Sequence, residues 1–349
     1  WLEEGLTHVD QVIDRLSEGL DEPERVQGDA ILPDHGFDDD NQTLTVRTPY
    51  YEAVLSEKHG GAITRLKTPD GEAWITALSN DLVSYRDSGG LWRMGHEFRG
   101  GRWKVADAAS RTPARMTVET TPEGLAVHTT HQLNGEAIRR TTWFRDDSPA
   151  IRGRVSGKAA AGYTINVRLH PGLAFNQLHM DAAGGVVTRP PTRVYDPTYW
   201  AFQHVAHLEA EDGAMAVLQR YPGAIAYQPR DGWVELVALR NATKEKAWGI
   251  VPILANPAKG EVRDPYDYDY AFQLMEGGDG WAHGLYTLPT TLFPQREAPA
   301  LFAVDHEDVT VTAVKPAWRG DGVIVRLVAP RPPGTVTLSS RYLPVRKAV

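Results

Sequence analysis

Ile165-Asn166-Val167-Arg168-Leu169 alternates apolar with polar side chains, and this two-residue period decides the fold class. Successive side chains of an extended strand leave on opposite faces, so Ile165, Val167 and Leu169 line one side. Outward from this stretch the same period recurs at Leu44/Val46, Tyr51/Ala53/Leu55, Met116/Val118, Leu125/Val127, Val309/Val311/Ala313 and Val323/Val325/Leu327. Asn134-Gly135 and the Asp-Gly pairs that begin at Asp70, Asp212, Asp231, Asp279 and Asp321 fall between such runs. These dipeptides suit type I′ turns, whose two central residues need positive φ. The 24 prolines sit mainly between runs, where they blunt strand edges. The expected fold is mainly β, a large antiparallel β-sandwich with long loops.

The beginning of the chain follows another rule. Leu2, Leu6, Val9, Ile13, Leu16 and Leu20 form a helical stripe, with Gly19 and Pro23 marking its end. One N-terminal helix is therefore expected over 1–22. A lone helix of this length is marginal in water, so the stripe needs a partner: the rest of the chain, a second copy, or helices of a preceding domain. Residues 23–42 are polar and acidic and are expected to be a linker. The large sandwich is expected over 43–304 and a small C-terminal β module over 305–349.

Composition narrows the function classes. Of 349 residues, 42% are hydrophobic and 23% charged, ordinary values that exclude general disorder and a coiled-coil rod. A net charge of −8 argues against a nucleic-acid partner held by a basic field. No apolar run approaches the roughly 20 residues that span a bilayer, so no membrane partner is expected. The chain has no Cys, which excludes disulfides, Cys-zinc sites and thiol catalysis. It leaves both cytoplasm and secretion open, with the cytoplasm favoured.

Several patterns bear on chemistry. His-x-Asp, a metal-ligand spacing, occurs at His8-Asp10, His179-Asp181 and His306-Asp308. Asp264, Asp267 and Asp269 lie in a Tyr-rich run that is expected to be a solvated loop; a hard cation would suit it, but the Gly and closing Glu of an EF-hand are missing. No Gly-rich phosphate loop and no G-x-S-x-G elbow is present. Ten Trp is high for this length, and Trp92, Trp103, Trp143, Trp200, Trp233, Trp248, Trp281 and Trp318 are spread through the β part. Indole faces stack on sugar C–H faces while Asp, Arg and His hold hydroxyls, so a carbohydrate partner is expected. The competing reading makes Trp a filler between sheets.

Ordered segments of the chain resemble the C-terminal half of the family-38 glycoside hydrolases, the α-mannosidase-like enzymes. They are Tyr85-Arg86-Asp87-Ser88-Gly89-Gly90-Leu91-Trp92, Gly185-Val186-Val187-Thr188-Arg189-Pro190-Pro191, Ala214 to Tyr221 followed by Val234 to Arg240, Tyr270-Ala271-Phe272, and Val311 to Pro316 followed by Gly320 to Leu327. The resemblance implies a β-sandwich of the galactose-mutarotase-like kind (a supersandwich), with 1–22 as the last helix of a preceding bundle. It implies that the zinc ion and Asp nucleophile belong to a separate N-terminal catalytic domain. None of the three His-x-Asp pairs has the closely following Trp of the family's zinc motif, and its His-His-Asp element is missing. No cofactor is therefore expected in this chain. The substrate-binding candidates that follow are Arg240, Trp92, Asp87, Arg189 and Trp200, lining one rim of a sugar cleft. The helix would dock on the catalytic domain or on a second copy.

Two other readings stay open. One is a free-standing carbohydrate-binding module. The other is a mutarotase-type epimerase, which needs a His acid and a carboxylate base facing one ring. His170, His179, His204 and His207 are available for it, with Glu209 or Glu235.

Overall fold

The computed structural model describes residues 32–87, 104–182, 185–192, 199–242, 262–276, 302–306, 309–317, 322–329 and 334–340. The expected helix over 1–22 lies outside these residues. What is described is almost entirely antiparallel sheet, and no helix in it is long and apolar enough to cross a membrane.

Strands β1 (Asp34–Asp38), β2 (Thr43–Arg47), β3 (Glu52–Ser56) and β4 (Ala62–Lys67) form a four-stranded sheet in sequential order. The chain then shuttles between two larger sheets. β5 (Asp81–Arg86) and β6 (Val105–Ala108) open a six-stranded sheet, and β7 (Thr117–Thr121), β8 (Gly124–Leu133), β9 (Glu136–Phe144) and β10 (Ile151–Gly157) open a nine-stranded one. β11 (Tyr163–Leu169) returns to the first, and β12 (Gln177–Ala182) and β13 (Gly185–Arg189) to the second. β14 (Tyr199–Phe202), β17 (Gly223–Gln228) and β18 (Trp233–Asn241) complete the six; β15 (Val205–Glu209), β16 (Gly213–Gln219) and β19 (Tyr266–Glu276) complete the nine. The six-stranded order is β14-β17-β18-β11-β5-β6, which puts β11 and β18 in the middle. Near the C-terminus β20 (Ala303–Val304) pairs with β23 (Leu338–Ser339), and β21 (Thr310–Pro316) with β22 (Val323–Val328).

The inner faces of the three larger sheets share one apolar core. Ile165, Val167 and Leu169 of β11 meet Leu178 and Met180 of β12, Val217 of β16, Leu236 of β18 and Phe272 of β19 within one cluster. Each such side chain contributes about 1.5–3 kcal/mol by leaving water. Alternation along each strand supplies the pattern. The longest hairpin, β8–β9, turns on Asn134 (φ 52°) and Gly135 (φ 88°), with Leu133 opposite Glu136. Both central residues have the left-handed backbone of a type I′ turn.

Two expectations change. The linker over 23–42 contains β1, which pairs with β2 through Phe37 opposite Leu44. All five β1 residues are exposed, so this edge strand carries no apolar alternation to reveal it. The Tyr-Asp run is no solvated loop: it begins β19, with buried Tyr268 and Tyr270 on one face and Asp267 and Asp269 on the other.

Tyr270 sits opposite Gly153 of β10, and a Cβ at Gly153 would lie 2.1–2.5 Å from the Tyr270 side chain. Gly153→Ala should therefore lower stability by about 1–3 kcal/mol in urea unfolding, the usual cost of overpacking. A wild-type midpoint would show that the ring can shift.

Two buried histidines set an acid limit. Burial pushes His131 down to about 3 and His207 to about 4. Each stays neutral in the fold at a pH where the unfolded chain already takes up a proton, so its contribution is complete above about pH 6.5 and is lost as the pH falls toward those values. Urea unfolding at pH 7 and pH 4.5 should show a smaller loss for His131→Gln than for the wild type. Equal losses would place the acid sensitivity elsewhere.

Candidate functional site

The polar members of β11 decide what the outer face of the six-stranded sheet is. Thr164, Asn166 and Arg168 alternate with the core residues and so leave on the opposite side, yet Thr164 and Asn166 are fully buried. In register, Arg168 lies between Asp81 of β5 and Glu235 of β18, and Thr164 between Tyr85 and Arg240. The two central strands therefore bring charged and hydroxyl-bearing side chains together on a covered surface.

Glu235, with no exposed surface, is the centre of this network. Its Oε1 accepts from the Tyr85 hydroxyl at 2.6 Å and from Arg168 Nε at 2.7 Å, and its Oε2 accepts from Asn166 Nδ2 at 2.7 Å. Asn166 Nδ2 also donates to the Tyr199 hydroxyl at 2.8 Å, and Arg168 donates to the Tyr85 oxygen. The Arg168 guanidinium lies 4.9 Å from the Trp233 ring centroid. Burial pushes the Glu235 carboxyl above its usual range, and Arg168 with the other donors opposes that rise. Burial works against the Arg168 charge, but Glu235 and Tyr85 outweigh it and raise its pKa. Every neighbour of Glu235 donates, the pattern of an ionised carboxylate. With both oxygens occupied it is a pinned anion and no free base.

One strand position along, Asp87 and Arg240 meet. Arg240 Nε donates to Asp87 Oδ2 at 2.6 Å, and the Thr164 hydroxyl donates to the same oxygen at 2.7 Å. The Asp87 side chain is fully covered, and that of Arg240 keeps 22% of its surface exposed. The Arg240 backbone N–H donates to the Tyr266 hydroxyl at 2.8 Å, which ties this corner to β19 of the other sheet.

The candidates from sequence thus fall in two places. Arg240 and Asp87 form one ion pair at the ends of β18 and β5. Arg189 and Trp200 form a second group, with the guanidinium 4.9 Å from the indole centroid and Trp200 Nε1 donating to Pro191 O at 3.0 Å. Tyr199 and Trp200 point to opposite faces: Tyr199 joins the Asn166 network, and Trp200 packs against the core. Trp92 lies outside the described residues. Trp233, beside the Asp231-Gly232 turn, is 3% exposed beneath Arg168, so its indole is no open sugar platform. Sequence reasoning missed Thr164, Asn166 and Arg168 and weighed Glu235 only as an epimerase base. The signal was present as the polar half of the β11 alternation.

The epimerase constellation is not assembled around Glu235. His179 and His207 sit on the nine-stranded sheet, with Glu209 beside His179, and His170 Nδ1 is engaged by Leu78 O at 2.6 Å. The His179-Asp181 pair does not act as a ligand pair. Asp181 is occupied by the backbone N–H groups of Gln203, His204 and Val205 at 2.8–3.1 Å. Among the described residues, no three His, Asp or Glu side chains are placed to hold a metal ion.

No model of a known protein family matches the chain, and no curated protein matches it. Solved structures do. An α-mannosidase from Enterococcus faecalis superposes with a TM-score of 0.60 at 13% identity, over 86% of this chain and 38% of its own. A protein in glycosyl hydrolase family 38 from the same organism gives 0.59 at 12% identity, over 86% and 40%. A galactose mutarotase-like protein from Clostridium acetobutylicum gives 0.41 at 7% identity, over 71% and 99%. At these identities the two Enterococcus structures show a shared fold. This chain spans less than half the length of either.

Glu235→Gln should cost about 3–5 kcal/mol in urea unfolding, because it leaves the Arg168 charge covered and unpaired. Glu235→Leu with Arg168→Met should recover most of that loss. A double variant as unstable as Glu235→Gln would mean that the pair itself, and not its desolvation, carries the stability.

Proposed function

We propose that this chain is the C-terminal, largely β portion of an α-mannosidase-like glycoside hydrolase, a carbohydrate-facing scaffold whose reactive centre lies in another domain. The observation that carries this reading is the fold shared with the two Enterococcus structures, over a minor part of their length. The corner at Arg240 supports it. A guanidinium held by a covered carboxylate and still partly exposed presents fixed N–H donors, which suit sugar hydroxyls or an acidic group. Asp87 and Thr164 orient that fork, and the Glu235 network beneath keeps β11 and β18 in register. The chemistry of glycoside hydrolysis needs two carboxyl groups flanking one bond at a set separation. Glu235 has donors on both oxygens and Asp87 is covered and paired with Arg240 and Thr164 through Oδ2, so the role proposed for this face is binding and positioning.

Two measurements test this. The purified chain should not hydrolyse nitrophenyl mannosides, with or without added zinc; sustained turnover would overturn the scaffold reading. Calorimetric titration with mannose oligosaccharides should show binding that Arg240→Lys weakens by about tenfold, a loss of about 1.4 kcal/mol. That variant keeps the charge beside Asp87 and loses the planar fork. Binding that ignores the substitution would move the sugar-facing rim away from Arg240.

A further inference from the structure

A groove of about 510 Å³ lies between the β1–β2 hairpin and the start of β7, and no residue of the Arg240 corner lines it. Its volume falls within the range of roughly 300–1,000 Å³ that takes a small ligand. Strand geometry explains its apolar wall. Phe37 of β1 stands opposite Leu44 of β2, so both leave on one face of that sheet. Leu44 is buried in the core, while Phe37, near the end of the hairpin, stays 43% exposed. Met116 and Val118 repeat the arrangement: Met116 joins the core, and Val118, on the edge strand, stays open to solvent. Phe37, Met116 and Val118 all line the groove. Two edge strands thus leave large apolar side chains facing one cavity.

Glu57 builds the floor. Its backbone N–H donates to Gln42 O at 2.9 Å, and its carbonyl accepts from the Ala114 N–H at 2.9 Å. Its side-chain Oε1 accepts from the Met116 N–H at 2.7 Å. One residue therefore ties the hairpin turn to the segment that leads into β7, and its Oε2 is left for a ligand. Gln42 holds the last position of that turn with φ 56°, a left-handed backbone that side chains other than Asn, Asp or His seldom adopt. Strain of this kind gathers where ligands are clamped. Asp39, Gln42 and Arg115 complete the polar lining, and among the described residues no side-chain hydrogen bond or ion pair engages them.

We propose that this groove binds a neutral sugar of one or two rings, at a site separate from the Arg240 corner. The Phe37 ring and Val118 give an apolar surface for the C–H face of the sugar. Asp39 and Glu57 accept from hydroxyls, Arg115 donates to them, and Gln42 does both. The mixture selects the ligand class. Two carboxylates against one guanidinium repel an anion such as a phosphate, and a cationic ligand would meet Arg115 as a like charge. A neutral ring with an apolar face and hydroxyl edges leaves none of these groups opposed. The hydrogen bonds of Glu57 fix the floor in advance, so little ordering is left for the ligand to impose. The choice of a sugar rests on the carbohydrate-facing role proposed above; the site itself does not depend on Arg240.

The test follows the methyl NMR signals of isotope-labelled Met in the whole chain. Met116 lines the groove, and Met180 and Met215 report on the buried core of the nine-stranded sheet. Titration with an α-linked mannose disaccharide should move the Met116 signal saturably and leave those of Met180 and Met215 in place; Met116→Leu assigns the signal. Phe37→Ala and Arg115→Ser should each weaken the affinity read at Met116 by at least about tenfold. Both residues are exposed, and the unfolding midpoint of each variant reports whether it has folded. A Met116 signal unmoved up to the solubility of the sugar would overturn the proposal, as would a shift unchanged in both folded variants. The two sugar sites fail separately. Calorimetric binding that Arg240→Lys weakens, with Met116 unmoved, overturns the groove and spares the scaffold reading. A Met116 shift lost in Phe37→Ala, with binding that ignores Arg240→Lys, upholds the groove and moves the rim.

Discussion

A carboxylate stays ionised on the back of a sheet only where donors surround it, and Glu235 is held in this way. Its three donors come from β5 and β11, the two strands that follow β18 in the sheet. A one-residue slip between β11 and β18 would turn Arg168 into the apolar core and Ile165 or Val167 out of it. The network therefore sets register as firmly as the core does. It also requires the six-stranded sheet to be covered on both faces, because Thr164, Asn166 and Glu235 are fully buried. The cost of desolvating the charges is offset only while the hydrogen bonds are complete, so the arrangement tolerates little change.

A second buried charge ties the other sheets together. Arg140 of β9 is 1% exposed and has no ion pair with a carboxylate among the described residues; its guanidinium donates to Asn80 O and, at 2.6 Å, to Gly60 O. Asn80 in turn donates to Thr142 Oγ1 at 3.0 Å and accepts from the Tyr270 hydroxyl. One side chain thus links the segment before β4, the residue before β5, and the β9 and β19 strands. Burial lowers the Arg140 pKa, while Tyr270 and Asp81 oppose that shift. Carbonyl dipoles do the work of a counter-ion there. The corner at Asp87 and Arg240 rests on this frame, since β5 begins beside Asn80 and ends beside Asp87.

Much of this architecture is legible in the chain. The apolar triplet Ile165, Val167 and Leu169 is buried as its spacing requires, and Asn134-Gly135 turns the longest hairpin. What escapes detection has a common cause, because a two-residue period reports one covered face only. β1 has no covered face and leaves no trace. β11 has two, and its polar half reads as surface. Val118 alternates correctly with Met116 yet is 36% exposed, since it lies on the edge strand β7. Val323 is likewise 44% exposed on a two-stranded sheet too small to bury it. The site was half legible. Arg240 and Asp87 do meet, but Arg189 and Trp200 sit apart, because Trp200 alternates away from Tyr199 and its network.

The central claim is that the covered charges of the six-stranded sheet hold Arg240 as a sugar-facing fork at its end. A crystal structure of the chain soaked to saturation with a mannose disaccharide examines this directly. The account requires a sugar ring with hydroxyls within hydrogen-bond distance of Arg240, and Asp87 still paired behind it. A disaccharide ordered only elsewhere on the chain, or none at saturation, would contradict it.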